Sequence, residues 1–179
     1  MTSSADKLPA LAQCAHRIRR YALRMGEVQG QGYIGQALGW ADVLAAAYGH
    51  ALNFKPEDPE WEGRDRFLLS HGHYAIAHYA ALIEAKIIPE EELETYGSDD
   101  SRLPMSGMAQ YTPGMEMSGG SLGIGLSIAV VASLFIFGDL DERQRFVLAT
   151  RADSITVLLN RGGQLGLSGS AQFSARLAA

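Results

Sequence analysis

Apolar residues recur at helical spacing in the N-terminal part of the chain. In residues 8–25 they lie three or four positions apart, and residues 38–51 repeat the pattern around Trp40 and Leu44. This spacing predicts two amphipathic helices. The glycine-rich residues 26–36 between them are typical either of an ordinary connecting loop or of a bare backbone that a ligand or partner approaches closely.

Three short apolar runs, at residues 66–70, 133–139 and 154–160, are typical of buried strands. Helical patterns separate them: residues 74–86 follow the first run, and residues 141–152 precede the third. Strands that alternate with helices predict a parallel sheet. The expected fold class is therefore α/β, a three-layer parallel sheet with helices on both faces.

The remaining segments are rich in glycine, serine and acidic residues. Residues 87–117 are mostly irregular, with a short acidic helix near residue 90, and residues 119–125 form a glycine turn that opens an apolar helix. We expect one domain over residues 1–166, followed by a flexible tail over residues 167–179.

Composition narrows the classes of function. The chain has 179 residues, of which 47% are hydrophobic, and its formal net charge is -5, which gives no basic footprint for nucleic acid. Its single cysteine, Cys14, cannot form an internal disulfide. The first residues lack the apolar run of a signal peptide, and glycines and serines interrupt the most apolar stretch, residues 122–137. We therefore expect a cytoplasmic protein without a membrane span.

Two histidines follow the first predicted strand, where ligands of open α/β sheets bind. His71 and His73 flank Gly72, so that imidazole donors and a bare backbone meet in one turn. This pattern fits a phosphate site, since imidazole donates to oxyanions. It also fits histidines that only pack in a turn, and a zinc site is the weaker alternative because no third ligand has an obvious spacing.

Three other features offer groups for anion or cation binding. The turn Gly-Gly-Ser-Leu-Gly, residues 119–123, would present amides at a helix N-terminus. Asp139 and Asn160 end the second and third predicted strands, where their oxygens suit a hard cation. Each feature has an ordinary structural explanation as well: a small-residue turn before a helix, or a polar residue that caps a turn.

Read in order, these segments resemble the thiamine diphosphate enzymes, specifically the transketolase family. The similarity is carried by AHRIRRYALRM, ADVLAAAYGHALN, DPEWEGRDRFLLSHGH, YAALIEA, TPGMEMSGGSLGIGLSIAV and, more loosely, DSITVLLNRGGQ. It is nearly continuous over residues 8–131, and GQGYIGQALG is similar to the N-terminal subunit of transketolases encoded as two chains.

The resemblance implies thiamine diphosphate and Mg²⁺ as cofactors. It makes His73 a diphosphate contact and the candidate catalytic residue, and it makes Asp139 a metal ligand, with Asn160 as a second candidate ligand. The cofactor-binding residues that it implies are His73, Gly114, Gly120, Ser121, Leu122, Gly138 and Asp139.

Several positions depart from the family pattern. Tyr33 and Ser106 stand where many single-chain transketolases have substrate-contacting histidines. Leu140 replaces the last glycine of the motif Gly-Asp-Gly, and Gly162 falls at the metal-binding asparagine. Asn160 could substitute only if the strand end shifts, because two residues of slip move a side chain by about 6–7 Å.

These departures predict a transketolase-like N-terminal half that is impaired or inactive in glycolaldehyde transfer on its own. The expectation also rests on the pyrimidine-binding domain, which does not fit within 179 residues. The alternative is the N-terminal subunit of a two-chain transketolase that moves two-carbon units between sugar phosphates. The expected partners are a second copy of the chain, as a homodimer, or a C-terminal transketolase subunit.

Overall fold

A computed structural model describes the backbone of residues 4–131, 145–151, 154–161 and 164–172. Within these residues helices dominate the N-terminal part and strands the C-terminal part. In chain order the elements are α1 (Ser4–Gln29), α2 (Ile34–Ala46), a π-helical turn (Ala47–Ala51), β1 (Arg66–Leu69), a 3-10 turn (Gly72–Tyr74), α3 (Ala75–Glu84), a second 3-10 turn (Glu90–Thr95), α4 (Ile124–Val131), β2 (Arg145–Arg151), β3 (Ser154–Arg161) and β4 (Gln164–Gln172).

The first three helices pack against one another and form the hydrophobic core. Helix α1 buries Ile18, Ala22 and Met25 completely, on the face that the apolar spacing predicted. Helix α3 is buried along nearly its whole length and packs on both α1 and α2. The predicted helices over residues 8–25 and 74–86 are confirmed, and α1 extends beyond its predicted limits at both ends.

The break between α1 and α2 covers residues 30–33, whereas the glycine pattern predicted a break over residues 26–36. Gly30 and Gly32 have φ angles of 71° and 147°, which L-residues rarely adopt, so the chain turns there. Helix α2 begins at Ile34, one turn earlier than predicted, and the π-helical turn continues it to Ala51.

The described strands form one sheet in the order β1-β2-β3-β4. β1 pairs with β2 in parallel, but β2 with β3 and β3 with β4 pair antiparallel. The expected wholly parallel sheet is therefore wrong for these strands. The three-layer arrangement, with helices on both faces, stays a prediction.

One prediction for the C-terminal part is wrong. β2 lies within residues 141–152, where a helix was expected, because a short apolar run cannot be assigned to a helix or a strand by periodicity alone. β4 pairs with β3 and crosses residue 166, the expected boundary between the domain and its tail. The extent of the domain and the flexibility of residues 167–179 stay predictions. The predicted strand 133–139 lies outside the described residues.

Among the described helices, none has both the length and the apolar character needed to cross a bilayer.

Candidate functional site

The candidate site begins where β1 ends. Phe67, Leu68 and Leu69 are buried, and Ser70 follows with 1% of its surface exposed. The chain then turns through the histidine loop (residues 71–73) into the 3-10 turn before α3. The loop thus lies between the end of a buried strand and the start of a buried helix, which restricts its movement.

The two histidines of this loop have different surroundings. The ring of His71 stacks on Tyr74 at 5.3 Å and meets Trp40 edge-on at 6.5 Å. His73 is exposed, and its ring meets Tyr33 edge-on at 5.5 Å. His71 therefore packs among aromatic rings, whereas His73 is the histidine that an incoming ligand would reach. In the part of the chain that the structure describes, no three metal-binding side chains come together.

A contact between two glycines joins the histidine loop to the glycine turn (residues 119–123). A Cβ atom built on Gly72 would lie 2.4 Å from the carbonyl oxygen of Gly119. A Cβ built on Gly119 would lie 2.5 Å from the nitrogen and Cα of Gly72. Only two glycines allow the backbones to approach so closely.

Hydrogen bonds hold the same two segments together. The amide of Gly119 donates to the carbonyl of Gly107 at 3.0 Å, and the amide of Gly107 donates to the carbonyl of Gly72 at 3.4 Å. The amide of Gly125 in α4 donates to Ser70 Oγ at 3.3 Å. A Cβ on Gly125 would collide with the Ser70 side chain at 2.5 Å. The first turn of α4 is therefore fixed against the end of β1.

The glycine turn leaves three predicted site residues open to solvent. Gly120, Ser121 and Leu122 are exposed, and no atom lies within 4 Å of a Cβ built on Gly120. The turn leads into α4, and amides at a helix N-terminus attract anions, although the amide of Gly125 already donates to Ser70. His73 follows Gly72, and Gly120 and Ser121 follow Gly119, so the close contact between these two glycines links the segments that contain the predicted cofactor-binding residues. Their binding of a cofactor stays a prediction.

Gly114 occupies a different position. Its φ angle is 79°, and a Cβ built on it would lie 2.8 Å from Leu82 and 3.2 Å from Ile87. The glycine is therefore required by packing against apolar residues. Its predicted contact with the cofactor stays a prediction.

The predicted metal ligands stay a prediction, because the structure describes only one of the two positions, Asn160. Gly138, Asp139 and Leu140 lie outside the described residues, as does Gly162. Asn160 lies in β3, where its Cα pairs with that of Leu165. Asn160 was predicted to end this strand, and β3 continues one residue further, to Arg161.

Two features of the site were missed by sequence reasoning. Ser70 was treated only as the last residue of a strand, although its hydroxyl accepts the hydrogen bond from Gly125. Glu116 was not singled out, although it forms an ion pair with Arg64 at 3.0 Å. A lone carboxylate in a stretch rich in glycine and methionine was the available signal for Glu116.

Exposed glycines at a helix N-terminus, beside a histidine at a strand end, are typical of α/β proteins that bind phosphate groups. A family model described as "Transketolase, thiamine diphosphate binding domain" matches residues 11–157. The chain belongs to the transketolase family, and the part that matches is the thiamine diphosphate-binding domain.

Individual relatives agree with this assignment. A transketolase family protein of Sinorhizobium fredii is 67% identical over 159 residues, covering 81% of this chain and 57% of the relative. A subunit of the apulose-4-phosphate transketolase of Actinobacillus succinogenes is 37% identical over 65% of this chain and 42% of its own length. The chain thus spans little more than half of the first relative and less than half of the second.

Solved structures support the same family. The transketolase from Leishmania mexicana superposes with a TM-score of 0.66 and 28% identity. The match covers 73% of this chain and 20% of the larger enzyme.

Proposed function

We propose that this chain supplies the diphosphate-binding half of a transketolase site and that its altered metal motif impairs glycolaldehyde transfer. The observation that carries the proposal is the close contact between the histidine loop and the glycine turn, which leaves His73 and Ser121 exposed on either side of it. When bound, thiamine diphosphate would supply the carbanion chemistry that moves a two-carbon unit. The chain's own residues would bind and orient it.

The described residues fit the diphosphate part of that cofactor. Gly120 leaves open space where a side chain would stand, and the amides at the start of α4 suit phosphate oxygens. The exposed imidazole of His73 would donate a hydrogen bond to the same anion. We assign His73, Gly120, Ser121 and Leu122 to cofactor binding on this basis.

The metal half of the site is the reason for the proposed impairment. Mg²⁺ requires oxygen ligands in near-octahedral geometry at about 2.0–2.1 Å. The sequence keeps Asp139 but has Leu140 in place of a glycine and Gly162 in place of an asparagine, so one side-chain oxygen is lost. Asn160 is the remaining candidate ligand. Weakened metal binding would weaken diphosphate binding with it.

We further propose that a second polypeptide covers helix α4. The helix and the residue two positions before it expose apolar side chains that would be costly to leave in water: Leu122, Ile124, Leu126, Ile128 and Val131. One relative is named as one subunit of an apulose-4-phosphate transketolase, which favours either a C-terminal subunit or a second copy of this chain as the partner. A cytoplasmic location is part of the same proposal.

A matched pair of histidine variants tests the site. His73→Ala should weaken thiamine diphosphate binding in calorimetry by about tenfold, equivalent to one lost charge-assisted hydrogen bond of about 1.4 kcal/mol. His50→Ala, which removes an equally exposed histidine from the π-helical turn, should leave binding unchanged. Equal affinity of the His73→Ala and wild-type chains would contradict the assignment.

A further inference from the structure

A buried ion-pair cluster lies at the start of β1, the strand whose other end leads into the candidate site. Glu116 accepts hydrogen bonds from Nε of Arg64 at 3.0 Å and from Nη2 of Arg64 at 3.3 Å. Nε of Arg66 lies 3.8 Å from the same carboxylate. The three side chains are only 12%, 8% and 18% exposed for Arg64, Arg66 and Glu116 respectively. Glu60 contacts Arg64 from the surface at 3.4 Å.

Burial of these charges is unfavourable in itself. It raises the pKa of the Glu116 carboxyl, even though two guanidinium groups act in the opposite direction, and it lowers the pKa of Arg66. A buried pair of this kind adds little net stability, but loss of one partner leaves an uncompensated charge. What a guanidinium with two parallel hydrogen bonds does provide is a fixed distance and orientation.

The fixed carboxylate lies at one end of a segment that runs along β1. Arg66 begins β1 and pairs with Glu116, whereas Gly119 and Gly125 of the same segment contact Gly72 and Ser70 beyond the other end of the strand. Residues 116–125, called here the site segment, are therefore fastened at both ends of β1. The glycine turn lies within the site segment.

We propose that Glu116 is a positioning residue that, through Arg64, holds the site segment so that the glycine turn keeps its position in the cofactor site. The proposal rests on the proposed function for the identity of the ligand. Without the pair, only the contacts of Gly119 and Gly125 at the other end of β1 would hold the turn, and the turn would sample positions unsuited to the cofactor.

Hydrogen exchange tests the restraint without any ligand. Glu116→Gln keeps the size of the side chain but removes its charge. We expect amide exchange in residues 117–125 to accelerate at least about tenfold, while α1 and α3 change no more than in the control. The control is Glu94→Gln, because Glu94 accepts the same two hydrogen bonds from Arg24, but on the surface. Equal acceleration throughout the chain would show a purely global effect and overturn the proposal.

The affinity for thiamine diphosphate tests whether the position that Glu116 gives to the glycine turn matters for binding. At a temperature where circular dichroism shows every variant folded, Glu116→Gln should weaken thiamine diphosphate binding, measured by calorimetry with Mg²⁺, by about tenfold. Glu94→Gln should leave it unchanged. Local acceleration of exchange with unchanged affinity would overturn the positioning role. If the wild-type chain binds no thiamine diphosphate, the proposed function fails and the exchange result alone decides whether Glu116 restrains the turn.

A second variant covers the case in which Glu116→Gln does not fold. Arg64→Lys keeps the positive charge but cannot make two parallel hydrogen bonds to one carboxylate. It should accelerate exchange in residues 117–125 in the same direction but less strongly, with a smaller loss of affinity. Wild-type exchange and wild-type affinity in Arg64→Lys would contradict the proposal.

Discussion

Single residues decide how closely the histidine loop and the glycine turn approach each other. Gly72 and Gly119 were visible in the sequence as members of two separate glycine-containing motifs, and each motif was predicted to lie near a ligand. Their contact was not predictable, because it joins positions 47 residues apart (119 minus 72) and depends on the path of the chain between them. Local spacing carries no information about such a contact.

The contact between Gly72 and Gly119 predicts that alanine destabilises the chain at Gly119 but not at a glycine with open space around it. Gly119→Ala should destabilise the chain by about 1–3 kcal/mol in urea unfolding, because the new methyl group overlaps backbone that cannot move freely. Gly39→Ala, in an open part of α2, should be neutral or stabilising by up to about 1 kcal/mol. Equal stability of Gly119→Ala and the wild type would show that the contact is looser than described.

A second residue-scale feature is a buried histidine under β1. Nε2 of His78 lies 2.6 Å from the Tyr48 hydroxyl, and its Nδ1 meets no hydrogen-bond partner within the described residues. Burial lowers the pKa of His78 from 6.5 to about 3 and raises that of Tyr48. His78 is therefore neutral in the folded chain and Tyr48 keeps its proton, so that the bond between the hydroxyl and Nε2 joins two neutral groups.

This depressed pKa predicts how stability depends on pH. Between pH 6.5 and 3 the unfolded chain binds a proton on His78 that the folded chain does not, so stability falls as the pH falls. The contribution is about 1.4 kcal/mol for each pH unit below about 6. Urea unfolding from pH 7 to 4.5 should show this slope in the wild type and in the exposed-site control His16→Gln, but not in His78→Gln. The same slope in all three proteins would contradict a buried neutral histidine.

At the scale of elements, the sequence predicted the helices better than the strands. Residues 8–25 repeat an apolar face over several turns, and tertiary packing uses the same face in α1. Residues 145–151 offered no comparable repeat, since Phe146, Val147 and Leu148 in succession suit a buried strand as well as a helix. Pairing with β1 and β3, which is not local, decided the outcome.

The exposed apolar face of helix α4 predicts that the chain associates through this helix. Gly125 and Ala129 face inwards, whereas Leu126 and Ile128 are 46% and 39% exposed. We expect the wild type to be larger than a monomer by light scattering, and Leu126→Glu/Ile128→Glu to reduce association while keeping the circular dichroism spectrum. Ala12→Glu/Gln13→Glu adds the same two charges to the exposed face of α1 and should have no effect. A monomeric wild type would contradict a second copy of this chain as the partner and would leave the C-terminal subunit as the proposed cover of this face.

At the scale of the whole molecule, the diphosphate half and the metal half of the proposed site could be predicted from the sequence to different extents. The family could be predicted from the sequence, and so could the candidate cofactor-binding residues of the first half, because the histidine after the strand and the glycine turn are each short, local motifs. The second half could not, since it requires Asp139 and Asn160 from distant segments to meet at one ion. Sequence alone shows where the chain departs from the family pattern there: Leu140 replaces a glycine, and Gly162 falls at the metal-binding asparagine.

The central claim is that the chain keeps the diphosphate half of the site and has a weakened metal half. Calorimetric titration with thiamine diphosphate, with and without Mg²⁺, tests it most directly, on the wild type and on Leu140→Gly/Gly162→Asn. We expect wild-type binding weaker than about 100 µM with little dependence on Mg²⁺, and Mg²⁺-dependent binding at least about tenfold tighter in the double variant. Micromolar, Mg²⁺-dependent binding by the wild type would contradict the account.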